Sequence, residues 1–213
     1  MLVRQIMTFN VITIPSETLV LDAERIMEFH KIGRLPVVDK GKLVGIVTKD
    51  DVIKANPSST TPLDQRQLFH LLAKLTVGEV MKKNVVTTTP DTTIEKAVAI
   101  AQKNRIGCLP VVEGDHIIGI ITTNDVFYKI LYPLFGIREN GKRVIIYGAG
   151  NVEPMQKILD VVKEMGLEVK HIWAQKDEEQ DDLILHFNTE DVSVFLGRVK
   201  LLGFSALERE FAA

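Results

Sequence analysis

The pattern of apolar and polar residues over residues 1–133 occurs twice, in two copies of similar length. In each copy a short β-branched run ends at a proline, an amphipathic stretch follows, and two apolar runs flank a turn. The amphipathic stretches carry Leu19, Ala23, Ile26 and Met27 in the first copy and Ile94, Ala97, Val98 and Ala101 in the second. This pattern predicts two β-α-β-β-α units whose first strands cover residues 11–15 and 85–90. The first helices should start at Ser16 and at Asp91 or Thr92.

The two copies share sequence as well as periodicity. The segments Gly33–Val38 and Gly45–Val52 return as Gly107–Val112 and Gly119–Val126. The hairpin strands are nearly continuous apolar runs, which is typical of a sheet covered on both faces. Two repeats packed as a pseudo-twofold module would provide that cover, so a binding site is expected to occur twice, near the seam.

A different order of elements follows the second copy. The predicted division is a first repeat at 1–56, a linker at 57–76 with a helix from Leu63 to about Leu75, a second repeat at 77–133, and a smaller domain at 142–213. That domain has predicted strands at Arg143–Tyr147, Leu167–Ala174, Leu183–Phe187 and Phe204–Leu207, and helices at Val152–Met165 and Thr189–Leu202. Its order is β-α-β-β-α-β, the ferredoxin-like pattern, so the fold class is mixed α+β and α/β.

Composition narrows the range of functions. The chain has 213 residues, of which 46% are hydrophobic and 25% charged, and a formal net charge of -2, which argues against a broad nucleic-acid-binding surface. The single cysteine, Cys108, excludes an internal disulfide and fits a reducing compartment, with the cytoplasm as the expected location. No leader and no membrane-spanning run is expected. The five histidines show no metal-ligand spacing, so no metal site is expected.

A Thr-x-x-Asp motif follows the last strand of each repeat, as Thr48 to Asp51 and Thr122 to Asp125. One interpretation is a plain helix cap, in which the threonine and the acid satisfy backbone N–H groups at the helix start. The other is a ligand site, in which the helix start receives a phosphate and the aspartate accepts hydrogen bonds from two ribose hydroxyls. The spacing alone leaves both open.

The motifs in this order, with the Leu-Pro-Val-Val segment and the closing Gly-apolar-apolar-Thr-x-x-Asp, resemble a CBS domain, and the tandem pair resembles a Bateman module. The resemblance implies that these threonines and aspartates contact the phosphate and ribose of an adenosyl ligand, and that strand residues form a slot for the base. It implies a first site of Thr48 and Asp51 with Thr13, Ile14, Pro15, Leu35 and Pro36. It implies a second site of Thr122 and Asp125 with Thr88, Thr89, Pro90, Leu109 and Pro110.

The copies differ in charge. His30, Lys31, Arg34 and Lys49 lie near the first predicted site, whereas Arg105, Cys108, Thr123 and Asn124 lie at or near the matching positions of the second. Arg34 in particular is a candidate phosphate ligand. The first site, or the cleft between the sites, is therefore expected to hold the more phosphorylated ligand, with a solvated surface as the alternative for these cations.

The second domain resembles an ACT-like regulatory domain, and the whole order resembles the family of bacterial acetoin utilisation proteins. This implies a non-enzymatic, homodimeric sensor that binds AMP, ADP, ATP or an S-adenosylmethionine-like ligand and acts on an unknown regulated protein, without nucleic acid or membrane partners. One alternative is a nucleotide-dependent enzyme that uses Gly148-Ala149-Gly150 as a phosphate loop, although a tight turn is the favoured interpretation of that segment. The other is a ligand-free scaffold.

Overall fold

The computed structural model describes residues 1–55, 74–176 and 180–209. The chain folds into two compact units, Met1–Val126 and Phe127–Ala213. Across the described parts of the chain, we find no helix with the length and apolar character needed to cross a membrane. The helix predicted from Leu63 to about Leu75 lies almost entirely outside the described residues.

Two antiparallel hairpins with adjoining helices form the first unit. A 3₁₀ turn at Val3–Gln5 is followed by helix α1 (Val20–Phe29), strands β1 (Arg34–Asp39) and β2 (Lys42–Thr48), helices α2 (Lys49–Ala55), α3 (Val77–Val80) and α4 (Ile94–Asn104), strands β3 (Cys108–Glu113) and β4 (His116–Thr122), and helix α5 (Thr123–Val126). The hairpins have the same register, since Arg34 pairs with Thr48 in one and Cys108 with Thr122 in the other. The repeated hairpin and the helix that follows it are thereby confirmed.

The strand predicted before each first helix is reduced to a single parallel bridge, between Ile14 and Val37 in one repeat and between Thr88 and Val111 in the other. The hydrogen-bond ladder stops because the next backbone N–H group either donates to a side chain or is absent. In the first repeat the Ser16 N–H donates to the Asp39 carboxylate, 2.9 Å away. In the second, the matching residue is Pro90, which has no N–H to donate.

The first helix of each repeat starts later than predicted. Helix α1 begins after Leu19, and α4 begins after Thr93, whose side chain accepts from the Lys96 N–H. A turn closes first, because the Thr92 N–H donates to the Thr89 carbonyl at 3.1 Å, and the first repeat has the same turn. The predicted starts at Ser16 and at Asp91 or Thr92 were therefore wrong, since the turn uses the residues directly after the proline.

The opening segment of each repeat packs on the other repeat. Thr8 forms an antiparallel bridge with Ile120 of β4, and Lys82 forms the matching bridge with Ile46 of β2. Val77, from the start of the second repeat, is fully buried in the apolar core of the first. Neither repeat is complete without the other.

The second unit contains a four-stranded antiparallel sheet. Its elements are a π-helical turn (Phe127–Leu131), helix α6 (Tyr132–Phe135), strand β5 (Lys142–Ile146), helix α7 (Val152–Glu164), strands β6 (Val169–Gln175) and β7 (Asp182–Phe187), helix α8 (Ser193–Leu201) and strand β8 (Ala206–Arg209). The strand order is β6-β7-β5-β8, which confirms the ferredoxin-like pattern. Every residue of β7 is buried, and Phe187 from this strand packs edge-on against Phe195 of α8.

Candidate ligand-binding clefts

Both Thr-x-x-Asp motifs form the predicted hydrogen-bonded box. The Thr48 N–H and hydroxyl donate to Asp51 Oδ2 at 2.9 and 2.6 Å, and the Asp51 N–H donates to the Thr48 hydroxyl at 3.2 Å. Thr122 and Asp125 make the same three bonds at 2.8, 2.7 and 3.2 Å. Because each box uses mainly one carboxylate oxygen, the second oxygen, Oδ1, can accept from another donor.

The second oxygen meets different neighbours in the two repeats. Asp125 Oδ1 accepts from the Thr8 hydroxyl at 3.1 Å, whereas Asp51 Oδ1 lies 3.8 Å from the Lys82 ammonium. Thr8 and Lys82 occupy equivalent positions in the opening segments that the repeats exchange. The two boxes therefore have the same internal geometry but different electrostatic surroundings.

One cleft between the repeats, which we call the Thr48 cleft, has a volume of about 420 Å³. Its walls are Gly33, Arg34, Ile46, Thr48, Lys49, Asp50, Lys82, Asn84, Val85, Val86, Arg105, Ile106, Gly107, Cys108 and Pro110. Asp51 is not among these described wall residues, although its carboxylate contacts Thr48 and lies near Lys82, both of which are. Four of the lining side chains are cationic and one is acidic, so this cleft favours an anionic ligand.

Another cleft between the repeats, which we call the Thr122 cleft, has a volume of about 410 Å³. Its walls are Thr8, Asn10, Val11, Ile12, Lys31, Ile32, Gly33, Arg34, Pro36, Ile120, Thr122, Thr123, Asn124 and Asp125. Here the box aspartate is itself part of the wall, next to an aliphatic surface. A carboxylate beside an apolar slot of this size suits a small ligand with an apolar ring and vicinal hydroxyls.

Several residues predicted to line the base slots lie in the core instead. Leu35 is 0% and Leu109 2% exposed, and Ile14 and Thr88 are also buried. Successive side chains of a strand face opposite sides, so Leu35 faces the core while its neighbours face a cleft. Those neighbours are Arg34 and Pro36 in β1 and Cys108 and Pro110 in β3.

The segment before each first helix also contributes different residues from those predicted. Val11 and Ile12 line one cleft and Val85 and Val86 the other, whereas Thr13 and Pro15 are absent from the described walls. Thr89 and Pro90 are absent too. The shift arises because the bridges at Ile14 and Thr88 turn those residues toward the strands they pair with.

The clefts do not follow the predicted grouping of residues by repeat. Thr48 of the first repeat shares a cleft with Val85, Val86 and Pro110 of the second. Thr122 of the second repeat shares a cleft with Ile12 and Pro36 of the first. Exchange of the opening segments brings each closing motif against the apolar wall of the other copy, and nothing in the spacing along the chain indicates that exchange.

Arg34 lines both clefts. A Cβ atom on Gly107 would lie 3.0 Å from Arg34 Nη1, so this glycine leaves room for the guanidinium. Burial raises the pKa of the neighbouring Cys108 thiol, while Arg34 acts in the opposite direction. Cys108 is thus a nearly buried thiol on the wall of the Thr48 cleft, and its burial disfavours the thiolate that a nucleophile requires.

In the second unit, the segment Gly148-Ala149-Gly150 forms a tight turn rather than a phosphate loop. The Gly148 N–H donates to the Asp182 carboxylate at 2.9 Å, and the Gly150 N–H donates to the Asp181 carbonyl at 2.7 Å. Both donors are thus bonded to residues at or directly before the start of β7, and the Asp182 carboxylate would repel a phosphate. Asn151 does precede α7, but no hydrogen bond from its side chain caps that helix.

The CBS domain model matches residues 3–58 and 77–132, which together make up more than half of the chain. The chain belongs to the CBS domain family. Inosine-5'-monophosphate dehydrogenase of Korarchaeum cryptofilum is 37% identical over 134 residues, which cover 62% of this chain and 25% of that protein. The chain thus spans about a quarter of the length of the dehydrogenases it matches.

Three solved structures share the fold of the CBS pair. A protein of Vibrio cholerae assigned as the acetoin utilization protein AcuB has 31% identity and a TM-score of 0.54, covering 65% of this chain and 95% of that one. The CBS pair of MJ0100, in complex with 5'-methylthioadenosine and S-adenosyl-L-methionine, has 33% identity and a TM-score of 0.51, with coverages of 64% and 96%. CBSX2 in complex with AMP has 26% identity and a TM-score of 0.51, with coverages of 61% and 96%. CBS pairs related to this chain therefore bind adenosyl ligands.

Proposed function

We propose that this CBS pair is a regulatory module that binds adenine nucleotides or related adenosyl compounds in the Thr48 and Thr122 clefts. The observation that carries the proposal is the position of Asp125, on the wall of an aliphatic cleft built by both repeats. Complexes of two relatives with AMP and with S-adenosyl-L-methionine support the ligand class.

The Thr122 cleft would hold the nucleoside. Asp125 would accept hydrogen bonds from the two ribose hydroxyls, and Ile12, Ile32 and Pro36 would enclose the base. Lys31 and Arg34 would provide the positive charge for a phosphate.

The Thr48 cleft would prefer a more phosphorylated ligand. Lys49, Lys82 and Arg105 join Arg34 on its walls, which doubles the number of cations relative to the Thr122 cleft. Two of these cations, Lys82 and Arg105, come from the second repeat. This preference was expected from the first repeat's own charges, but the fold adds the cations of the other copy.

The proposed role is regulatory rather than catalytic. The N–H groups of Gly148 and Gly150 donate to Asp182 and Asp181, which argues against the alternative of a nucleotide-dependent enzyme. We also propose that the chain acts as a homodimer, which size-exclusion chromatography with light scattering would test. A link to acetoin utilisation follows the Vibrio cholerae relative, and growth of a deletion strain on acetoin would test it.

Isothermal titration of the full chain with AMP, ATP, S-adenosylmethionine and NAD tests the proposal. We expect AMP to bind, and Asp125→Asn to raise its Kd by about tenfold to a hundredfold, because hydrogen bonds to a charged acceptor contribute about 1.5–3 kcal/mol. Asp51→Asn should have a smaller effect on AMP, since that residue is not among the described wall residues and its carboxylate lies near the Lys82 ammonium.

Glu79→Gln is the matched control. Glu79 forms the same kind of box with Thr76, with both hydrogen bonds at 2.8 Å, but it lines neither cleft. Its replacement should leave AMP binding unchanged. Absence of binding by any adenosyl ligand would favour the scaffold alternative, and NAD binding that survives both aspartate variants would favour the enzyme.

A further inference from the structure

Two histidines that are distant in the sequence lie side by side in the second unit. His171 of β6 and His186 of β7 are cross-strand partners, and their rings stack with centroids 5.5 Å apart and an interplanar angle of 27°. The register shifts between Val169 and His171, and such a bulge redirects a side chain. Strand pairing creates this pair, so spacing along the chain does not reveal it.

Glu139 completes a cluster of three side chains. Its Oε2 lies 3.1 Å from His171 Nε2, and one potential ligand atom from each of Glu139, His171 and His186 lies within 4.8 Å of the other two. Around a tetrahedral ion with bonds of about 2.1 Å, ligand atoms lie about 3.4 Å apart. Adjustments of about 1 Å in these side chains would bring all three to that geometry.

A glycine leaves space beside the two rings. A Cβ atom on Gly136 would lie 2.7 Å from His186 Nδ1 and 2.8 Å from His171 Nε2. Both nitrogens therefore lie beside the space that the missing side chain of Gly136 leaves. The backbone of Asn140 hydrogen-bonds to His186, the type of contact that orients the ring of a metal-ligating histidine. Any larger residue at position 136 would obstruct both nitrogens.

Charged groups around the cluster act in opposite directions on a bound cation. Arg143 and Lys170 repel an incoming cation, while the Glu139 carboxylate attracts it. Two imidazole nitrogens together with one carboxylate oxygen form a donor set that can hold a cation against such repulsion through coordinate bonds.

We propose that His171, His186 and Glu139 bind a divalent transition-metal ion of the zinc type. Two nitrogens and one oxygen suit Zn²⁺, Co²⁺ or Ni²⁺, whereas Ca²⁺ and Mg²⁺ require a shell composed mostly of oxygens. Three protein ligands leave one position of a tetrahedral ion for water or another ligand, as in exchangeable and catalytic sites. Because Glu139 is exposed, a metal ion can reach the three side chains from solvent.

The alternative is that Glu139 and His171 form only an ion pair beside a packed histidine. That arrangement would contribute to folding but would not retain a metal. Titration of the full chain, stripped with EDTA, separates the two. Zn²⁺ is added against a chromophoric chelator, and Co²⁺ is added while its visible absorption is recorded.

We expect one tightly bound Zn²⁺ per chain and a cobalt spectrum typical of four-coordinate nitrogen and oxygen ligands. His171→Gln should abolish binding, and Glu139→Gln should weaken it at least tenfold. His116→Gln, which removes an exposed histidine of the first unit, should leave binding unchanged. Millimolar Mg²⁺ should not compete.

The proposal fails if the wild type retains no Zn²⁺, or if His171→Gln and Glu139→Gln both bind it as the wild type does. Glu139 is on the surface, so its variant should remain folded even if the His171 variant does not. Circular dichroism of each variant checks this. Adenosyl ligand binding by the first unit is measured separately and does not affect the outcome.

Discussion

Asp51 and Asp125 show how one residue in a neighbouring segment changes the chemistry of a repeated motif. Each makes three hydrogen bonds with its threonine, but Thr8 faces the second oxygen of Asp125 while Lys82 lies near that of Asp51. A neutral hydroxyl competes weakly with ribose hydroxyls for a carboxylate oxygen, whereas an ammonium group competes strongly because it is charged. Asp125 is therefore the better candidate for a ribose acceptor.

Asp39 makes a contact that the second repeat lacks and that should depend on pH. Its pKa is lowered by hydrogen bonds from Ser16, first from the side chain and then from the backbone N–H. A carboxylate with a lowered pKa stabilises the fold above its unfolded pKa of about 3.8, and this contribution disappears as the pH falls through the folded value.

Asp39→Asn imitates the protonated form, so we expect it to be less stable than the wild type at pH 7. The difference should shrink below about pH 4, where the wild-type carboxyl group is itself becoming neutral. Urea unfolding of both proteins at pH 7 and pH 3 measures this. An equal difference at the two values would show that the charge of Asp39 has no role in the contact.

At the scale of elements, the exchanged opening segments pack against glycines. Gly119 of β4 faces Met7 and Thr8, and Gly45 of β2 faces Met81 and Lys82. A Cβ on Gly119 would lie 2.6 Å from the Met7 sulfur and 3.2 Å from the Thr8 carbonyl. These glycines allow the backbone of one repeat to approach a strand of the other.

Gly119→Ala should destabilise the first unit by about 1–3 kcal/mol, the usual effect of overpacking. It should also weaken ligand binding in the Thr122 cleft, because Thr8 lines that cleft. Chemical denaturation and AMP titration provide the two measurements. A variant of unchanged stability would contradict the close packing.

Gly197→Ala is the matched control. Gly197 lies in α8 with nothing within 4 Å of an added Cβ. Because glycine is a poor helix former, this replacement should stabilise the second unit by about 0.5–1 kcal/mol and leave AMP binding unchanged.

At the scale of the whole molecule, the Thr48 cleft and the Thr122 cleft share one cation. Arg34 lines both, and the matching position of the second repeat is Cys108, so the first repeat alone contributes a guanidinium at this position. Two phosphorylated ligands, one in each cleft, would both interact with the Arg34 guanidinium. Their binding should therefore be coupled, and an uncharged nucleoside should show less coupling.

Arg34→Ala should raise the Kd for ATP by about tenfold in both clefts, equivalent to about 1.4 kcal/mol. Lys49→Ala should weaken only the Thr48 cleft and Lys31→Ala only the Thr122 cleft, since each of these lysines lines one cleft. Two-site titration with ATP and with adenosine measures both effects. Loss confined to one cleft in Arg34→Ala would contradict the shared role.

Local order was predictable because it depends on neighbouring residues. Periodic apolar residues were sufficient to predict the repeated hairpins and the ferredoxin-like order of the second unit, and the spacing of Thr122 and Asp125 was sufficient to predict their box. The strand at residues 11–15 was overestimated because its pairing ends where Ser16 bonds to the Asp39 side chain, a contact between distant residues.

The composition of each site depended on contacts between segments that are far apart in the chain. The resemblance to a CBS pair implied two ligand sites, but tertiary packing decided that each cleft combines the closing motif of one repeat with the apolar wall of the other. It also decided that Arg34 faces both clefts, and it brought His171, His186 and Glu139 together through strand register. The periodicity of the sequence determines which face of a helix or strand is apolar. Which other segment packs against that face depends on contacts between distant residues, which form only in the folded chain.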